Sequence, residues 1–147
     1  MKIEAFIENE AGSLMNHKYD EQTGTFLGAS ALAQAYPQNY GFLPGTLGED
    51  GDCVDCFVIS DRPLARGQKF LCDLIGLLEM WENGETDHKI ILGHTCDPAC
   101  VTPEVERIRA FETDVFGTQT GKVVELGAFL SPDHARRYLD AHRVSAA

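Results

Sequence analysis

The chain has 147 residues, 44% of them hydrophobic and 24% charged, the proportions of an ordinary globular protein that can bury a core without disulfide staples. Its formal net charge of −11 argues against nonspecific binding to nucleic acid, whose phosphates it would repel, though not against a small phosphate compound carried with a divalent cation. Met1-Lys2-Ile3-Glu4 is not followed by the apolar core of a signal peptide and no run approaches membrane-spanning length, so a cytoplasmic protein with neither membrane nor nucleic-acid partner is expected.

In chain order, Lys2 to Ile7 alternates and predicts a strand; Cys56 to Ser60, Lys69 to Met80 and Lys89 to Gly93 are further strands. Turns at Asp61-Arg62-Pro63 and Asn83-Gly84 separate them, and Asn-Gly is a strong hairpin signal. Thr102 reads as a helix N-cap with Pro103 at the first helical position, after which Val105, Ile108 and Phe111 share one face. Lys122 to Phe129 predicts another strand, and Ser131-Pro132-Asp133 opens a second helix running toward His142. No repeat, linker or low-complexity tract interrupts the sequence. Many short strands followed by late helices predict one domain over residues 1–147, mainly β, built as a small barrel with flanking helices.

Asp50-Gly51-Asp52-Cys53-Val54-Asp55 carries most of the chemistry. Three carboxylates within six residues repel one another unless they face water or a cation. An all-oxygen donor set favours Mg²⁺, with Mn²⁺ as the alternative, over Zn²⁺. Gly51 allows the tight turn that brings Asp50 toward Asp52. The spacing of an EF-hand loop is absent, so the competing reading is a solvated acidic turn.

The flanking sequence weighs against that bland reading. Tyr36-Pro37-Gln38-Asn39-Tyr40-Gly41 leads through Phe42 to Glu49 straight into Asp50. This block resembles the signature of the soluble family I inorganic pyrophosphatases, a Tyr-Pro-x-Asn-Tyr-Gly segment leading to Asp-Gly-Asp-x-x-Asp. Glu82, Asp87 and Lys89 resemble the family's second metal hairpin, with Glu in place of its first Asp, and Ile7-Glu8 before Gly12-Ser13 is similar to its opening. The resemblance runs from Glu8 to Lys89 and is weak beyond.

It implies a five-stranded barrel like that of oligonucleotide-binding folds and Mg²⁺-dependent hydrolysis of pyrophosphate to two phosphates. Asp50, Asp55 and Asp87 are then the expected metal ligands, with Glu82 and Glu8 holding further ions. Asp52 is expected to accept a proton from the attacking water. Lys89 and Tyr40 would act at the reacting phosphate, where Lys18 would also bind. A homo-oligomer, with a hexamer as the family pattern, is the expected assembly.

The departures concern the cationic half. No basic residue lies between Thr23 and Gln34, where the family places an Arg, and its later Tyr-Lys pair falls near Val115-Phe116 if Gly121-Lys122 are aligned. Two alternatives therefore stay open: a metal-dependent hydrolase of another phosphoanhydride or phosphate ester, or a noncatalytic metal-binding relative. Cys53-x-x-Cys56 and Cys96-x-x-x-Cys100, near His88 and His94, raise a zinc reading, but small buried thiols suit the pattern better. His17 and His94, lacking a paired nucleophile, read as structural.

Overall fold

The computed structural model describes residues 1–144. Its strands are β1 (Lys2–Asn9), β2 (Met15–Tyr19), β3 (Phe26–Ala31), β4 (Asn39–Phe42), β5 (Asp55–Ser60), β6 (Lys69–Glu82), β7 (Glu85–Thr86), β8 (Lys89–His94) and β9 (Val124–Leu130). Helix α1 (Val101–Phe111) continues into a π-helical segment, Glu112–Gln119, and α2 (Pro132–Ala141) follows β9.

Five strands close on themselves. β1 pairs with β4, β4 with β5, β8 with β6 and β6 with β1, all antiparallel, while β5 and β8 are parallel. Closure leaves none of the five with an open edge. The 14-residue β6 makes it workable, because Lys69 to Asp73 pair with β1, Asp73 to Leu78 with β8, and Leu77 to Glu82 with β9. Irregularities between Leu74 and Gly76 and between Leu78 and Met80 bend the strand between these partners.

The apolar run of β5 reflects burial on both faces. Cys56 and Val58 point into the ring with Ile3, Ala5, Ile7 and Leu92, and Ala135 and Leu139 of α2 join that cluster. Phe57 and Ile59 point outward, where Val105, Ile108 and Phe111 cover them with Tyr36 and Ile91. A strand covered on both sides reads as a continuous hydrophobic stretch.

The predicted strands are present with small changes of boundary, and Asn83-Gly84 forms the β6–β7 turn with both residues at positive φ, 51° and 82°. Ser131 caps α2 as expected, its side chain accepting from the His134 amide. The start of α1 differs from expectation: its N-cap is Cys100, without a side-chain bond, and Thr102 lies inside the helix. Asp97 instead caps a short 3₁₀ turn at Pro98–Cys100 that feeds the helix. Strands β2, β3 and β4 carry little apolar alternation, and β3 is exposed almost throughout, which is why pattern alone does not reveal them. No helix among the described residues is long and apolar enough to cross a membrane.

Gly41 marks the tightest contact of the ring, since a Cβ there would sit 1.8 Å from the Phe6 carbonyl oxygen. Gly41→Ala should therefore cost on the order of 3 kcal/mol by forcing β1 from β4. Leu78, fully buried, should lose about 2–5 kcal/mol on truncation to Ala, whereas Leu27, 65% exposed, should lose no more than about 0.5. Urea unfolding of the three variants tests this packing; equal losses at Leu78 and Leu27 would contradict it.

Candidate active site

The Asp50 loop is folded by its own polar groups. Gly51 adopts φ 88°, the Asp50 carboxylate accepts from the Asp52 amide at 3.0 Å, and the Gly48 amide donates to the Asp52 carbonyl at 2.7 Å. Glu49 ties the loop to α2, accepting from Tyr138 Oη at 2.9 Å and lying 2.8 Å from His142 Nε2. On its other side the Cys53 amide donates to Glu21 at 2.9 Å.

Strand register then assembles the centre. Cys56 pairs with Ile90 across the parallel β5–β8 ladder, so the preceding residues, Asp55 and Lys89, meet at the same end of the ring. Lys89 Nζ donates to Asp55 Oδ2 at 2.8 Å, to Asp87 Oδ2 at 3.2 Å and to Tyr40 Oη at 3.1 Å. Its side chain is only 4% exposed. Burial alone would push this ammonium down, but the acidic groups around it, Asp55 foremost, hold it above its ordinary value. The Tyr40 ring is fixed edge-on against Phe57 and stacked beside Tyr36, and burial raises its hydroxyl.

Around this knot lies a cavity of about 180 Å³. Of the residues expected at the site, it gathers Asp50, Asp55, Glu82, Asp87, Lys18, Lys89 and Tyr40. Glu8 and Asp52 open instead onto an adjoining cavity of about 670 Å³, which shares Lys18, Tyr40, Asp50 and Asp55 with the first. Trp81 lines neither cavity and packs edge-on to His88.

Sequence reasoning missed two charged residues of the inner cavity, Glu112 and Lys122. Glu112 begins the π-helical segment that follows α1 and is 2% exposed; its position one residue beyond the buried Phe111 on a helical face was the available signal. Lys122 lies 3.0 Å from Glu82. Val115 is buried in the core and Phe116 forms part of the cavity wall, so that stretch of chain supplies no cation.

A model of the inorganic pyrophosphatase family matches residues 5–129. The chain belongs to that family. The inorganic pyrophosphatase of Halalkalibacterium halodurans is 32% identical over 149 residues, covering 94% of this chain and 91% of its own. That of Mycoplasma genitalium is 38% identical over 98 residues, or 65% of this chain and 53% of its own, so the match spans about half the length of that relative. In three dimensions the chain is similar to the inorganic pyrophosphatase of Helicobacter pylori, with a TM-score of 0.85 at 28% identity, covering 96% of this chain and 91% of the other. The Thermus thermophilus inorganic pyrophosphatase gives 0.84, also at 28% identity. The oligonucleotide-binding-like barrel expected from the sequence is thus the family's fold, and the family match extends past Lys89 to the segment where sequence resemblance was weak.

The charge of this candidate site is incompletely compensated. Burial pushes Glu8 up to about 7 against the pull of Lys18, Asp87 up to about 6 against Lys89, and Glu112 up to about 7 against Lys89. Burial also raises Asp50. Such a set of under-neutralised oxygen donors fits a hard divalent cation. As the side chains stand, no three His, Cys, Asp or Glu among the described residues converge closely enough to ligate one ion, and the Lys89 ammonium lies between Asp55 and Asp87. The five cysteines are free thiols. Both ring nitrogens of His17 are engaged, Nδ1 bonding Asn9 Oδ1 at 2.7 Å and Nε2 meeting Arg66.

Glu112 yields a signed prediction. A carboxyl raised from 4.5 to about 7 on folding binds its proton more tightly in the folded state, so its cost is absent below the lower value and complete above the upper one. In metal-free protein, Glu112→Gln should therefore exceed the parent in stability by on the order of 3 kcal/mol at pH 8, with the gain nearly gone at pH 4. Thermal unfolding across that range checks it, and a loss of stability at pH 8 would contradict it.

Proposed function

We propose that the chain hydrolyses inorganic pyrophosphate to two phosphates with Mg²⁺, Mn²⁺ being the alternative metal. The observation that carries this reading is the meeting of Asp50, Asp55, Glu82 and Asp87 around the Lys89–Tyr40 pair in one small cavity, in a chain of the inorganic pyrophosphatase family.

Asp50, Asp55 and Asp87 would hold the metal, with Glu82 and Glu8 as donors to further ions. The bound metal supplies a water of lowered pKa and relieves charge on the phosphoryl oxygens. Asp52, exposed beside Asp50, is assigned acceptance of the proton from the attacking water. Lys18 and Lys89 bind phosphate oxygens, and the Tyr40 hydroxyl, kept protonated by burial, donates a hydrogen bond toward them. The ring of β1, β4, β5, β8 and β6 gives these groups rigid strand ends, which limits the reorganisation needed during reaction.

A second reading is favoured by the sparse cationic lining. Lys89 is engaged by Asp55 and Asp87, Lys122 by Glu82, and Phe116 takes a place on the wall. A metal-dependent hydrolase of another phosphoanhydride or phosphate ester would need fewer phosphate contacts; a noncatalytic metal-binding relative would need none. In either hydrolytic case we place the chain in the cytoplasm as a single domain in a homo-oligomer, a hexamer by family pattern, without nucleic-acid or membrane partners.

Phosphate release with Mg²⁺ from pyrophosphate, compared with nucleotides and phosphate esters, separates these readings. Asp52→Asn should lower the turnover number by about two to four orders of magnitude, and Asp55→Ala should weaken Mg²⁺ binding by about tenfold or more. Metal-dependent release that survives Asp52→Asn within about tenfold would remove Asp52 as the proton acceptor, and preference for a nucleotide would replace pyrophosphate as the substrate.

A further inference from the structure

Lys122 stands in the inner cavity by an indirect route. The segment that would bring a cation there from the end of α1 instead carries Val115, buried in the core, and Phe116, part of the wall. The chain then leaves the π-helical segment and returns along the turn between β6 and β7. Two hydrogen bonds pin it: the Asn83 amide donates to the Val123 carbonyl at 2.8 Å, and the Val123 amide donates to Asn83 Oδ1 at 2.9 Å. With Val124 in register opposite Glu82, residue 122 is held at the mouth of the site.

Its charge is also the more available one. Lys89 has three bonded partners and is almost wholly buried. Lys122 has one ion-pair partner among the described residues, Glu82 at 3.0 Å, and its side chain is 45% exposed, so its ammonium keeps room for another acceptor. A long, half-exposed side chain in a partly solvated pair is held weakly. Glu82 is itself an expected metal donor, and an incoming cation would compete with Lys122 for it.

We propose that Lys122 is a phosphate-binding residue of this site, resting on Glu82 in the free protein and transferring to a phosphate oxygen of the substrate when metal occupies Glu82. A cation anchored after the helix thereby takes the place of one the helix does not supply. The proposal rests on the pyrophosphatase reading above.

The test is calorimetric binding of methylenediphosphonate, a non-hydrolysable diphosphate, at fixed Mg²⁺, to the parent protein, Lys122→Gln and Lys122→Arg, with Mg²⁺ binding measured separately. Lys122→Gln should bind the diphosphonate roughly tenfold or more weakly, since a charge-assisted contact is lost. Lys122→Arg should stay within about threefold of the parent, because the charge and reach persist. Mg²⁺ alone should bind Lys122→Gln as tightly as the parent or more so. Unchanged diphosphonate binding by Lys122→Gln would make Lys122 only the counterion of Glu82 and overturn the inference while leaving the pyrophosphatase reading intact. Failure of the parent itself to bind would overturn both.

Discussion

A buried ammonium holds the site together. Lys89 lies at the end of β8 with its side chain almost wholly out of solvent, and its three donors are directed to Asp55, Asp87 and Tyr40. The isolated charge could not be buried there, nor could the two carboxylates be brought so close without it. Its partners come from three segments, β4, β5 and the turn before β8, so this one interaction fixes how those segments meet at the open end of the ring. It also leaves a remainder. One cation cannot neutralise Asp55, Asp87 and Glu112 together, and burial accordingly raises the latter two. The residue that permits the cluster to fold thus leaves it short of positive charge, the condition under which a divalent cation binds well.

That arrangement explains which parts of the protein were legible in the sequence. The Asp50-Gly51-Asp52 turn and Asp55 were readable because like charges at short spacing demand a reason, and the apolar run after them was readable because β5 is covered on both faces. The turn at Asn83-Gly84 and the cap at Ser131 follow from local backbone chemistry. By contrast, β2 and β3 form a separate two-stranded sheet whose second strand is exposed, so no burial pattern was written into them. Thr102 failed as a cap because Asp97 and the 3₁₀ turn already start the helical winding upstream.

The missed site residues, Glu112 and Lys122, share one cause. Both reach the cavity through the π-helical segment and the return that follows it, where the winding departs from the α-helical period. Such segments recur at functional sites, and their register cannot be counted from a 3.6-residue repeat. The strand ends that carry Asp55 and Lys89 thus form one side of the cavity, while Phe116, Glu112 and Lys122 form part of its far wall.

The most direct test of the central interaction is the stability of Lys89→Met in metal-free protein as a function of pH. Removing one partner of a buried ion pair is expected to cost about 3–5 kcal/mol. Without the ammonium, Asp87, which burial already raises, is left charged beside Asp55 at pH 8, and its protonation relieves the site as the pH falls, so the deficit should be large at pH 8 and shrink markedly by pH 5. Unfolding by urea at the two pH values reads the difference. A deficit of the same size at both, or none at pH 8, would contradict the view that charge balance at Lys89 organises this site.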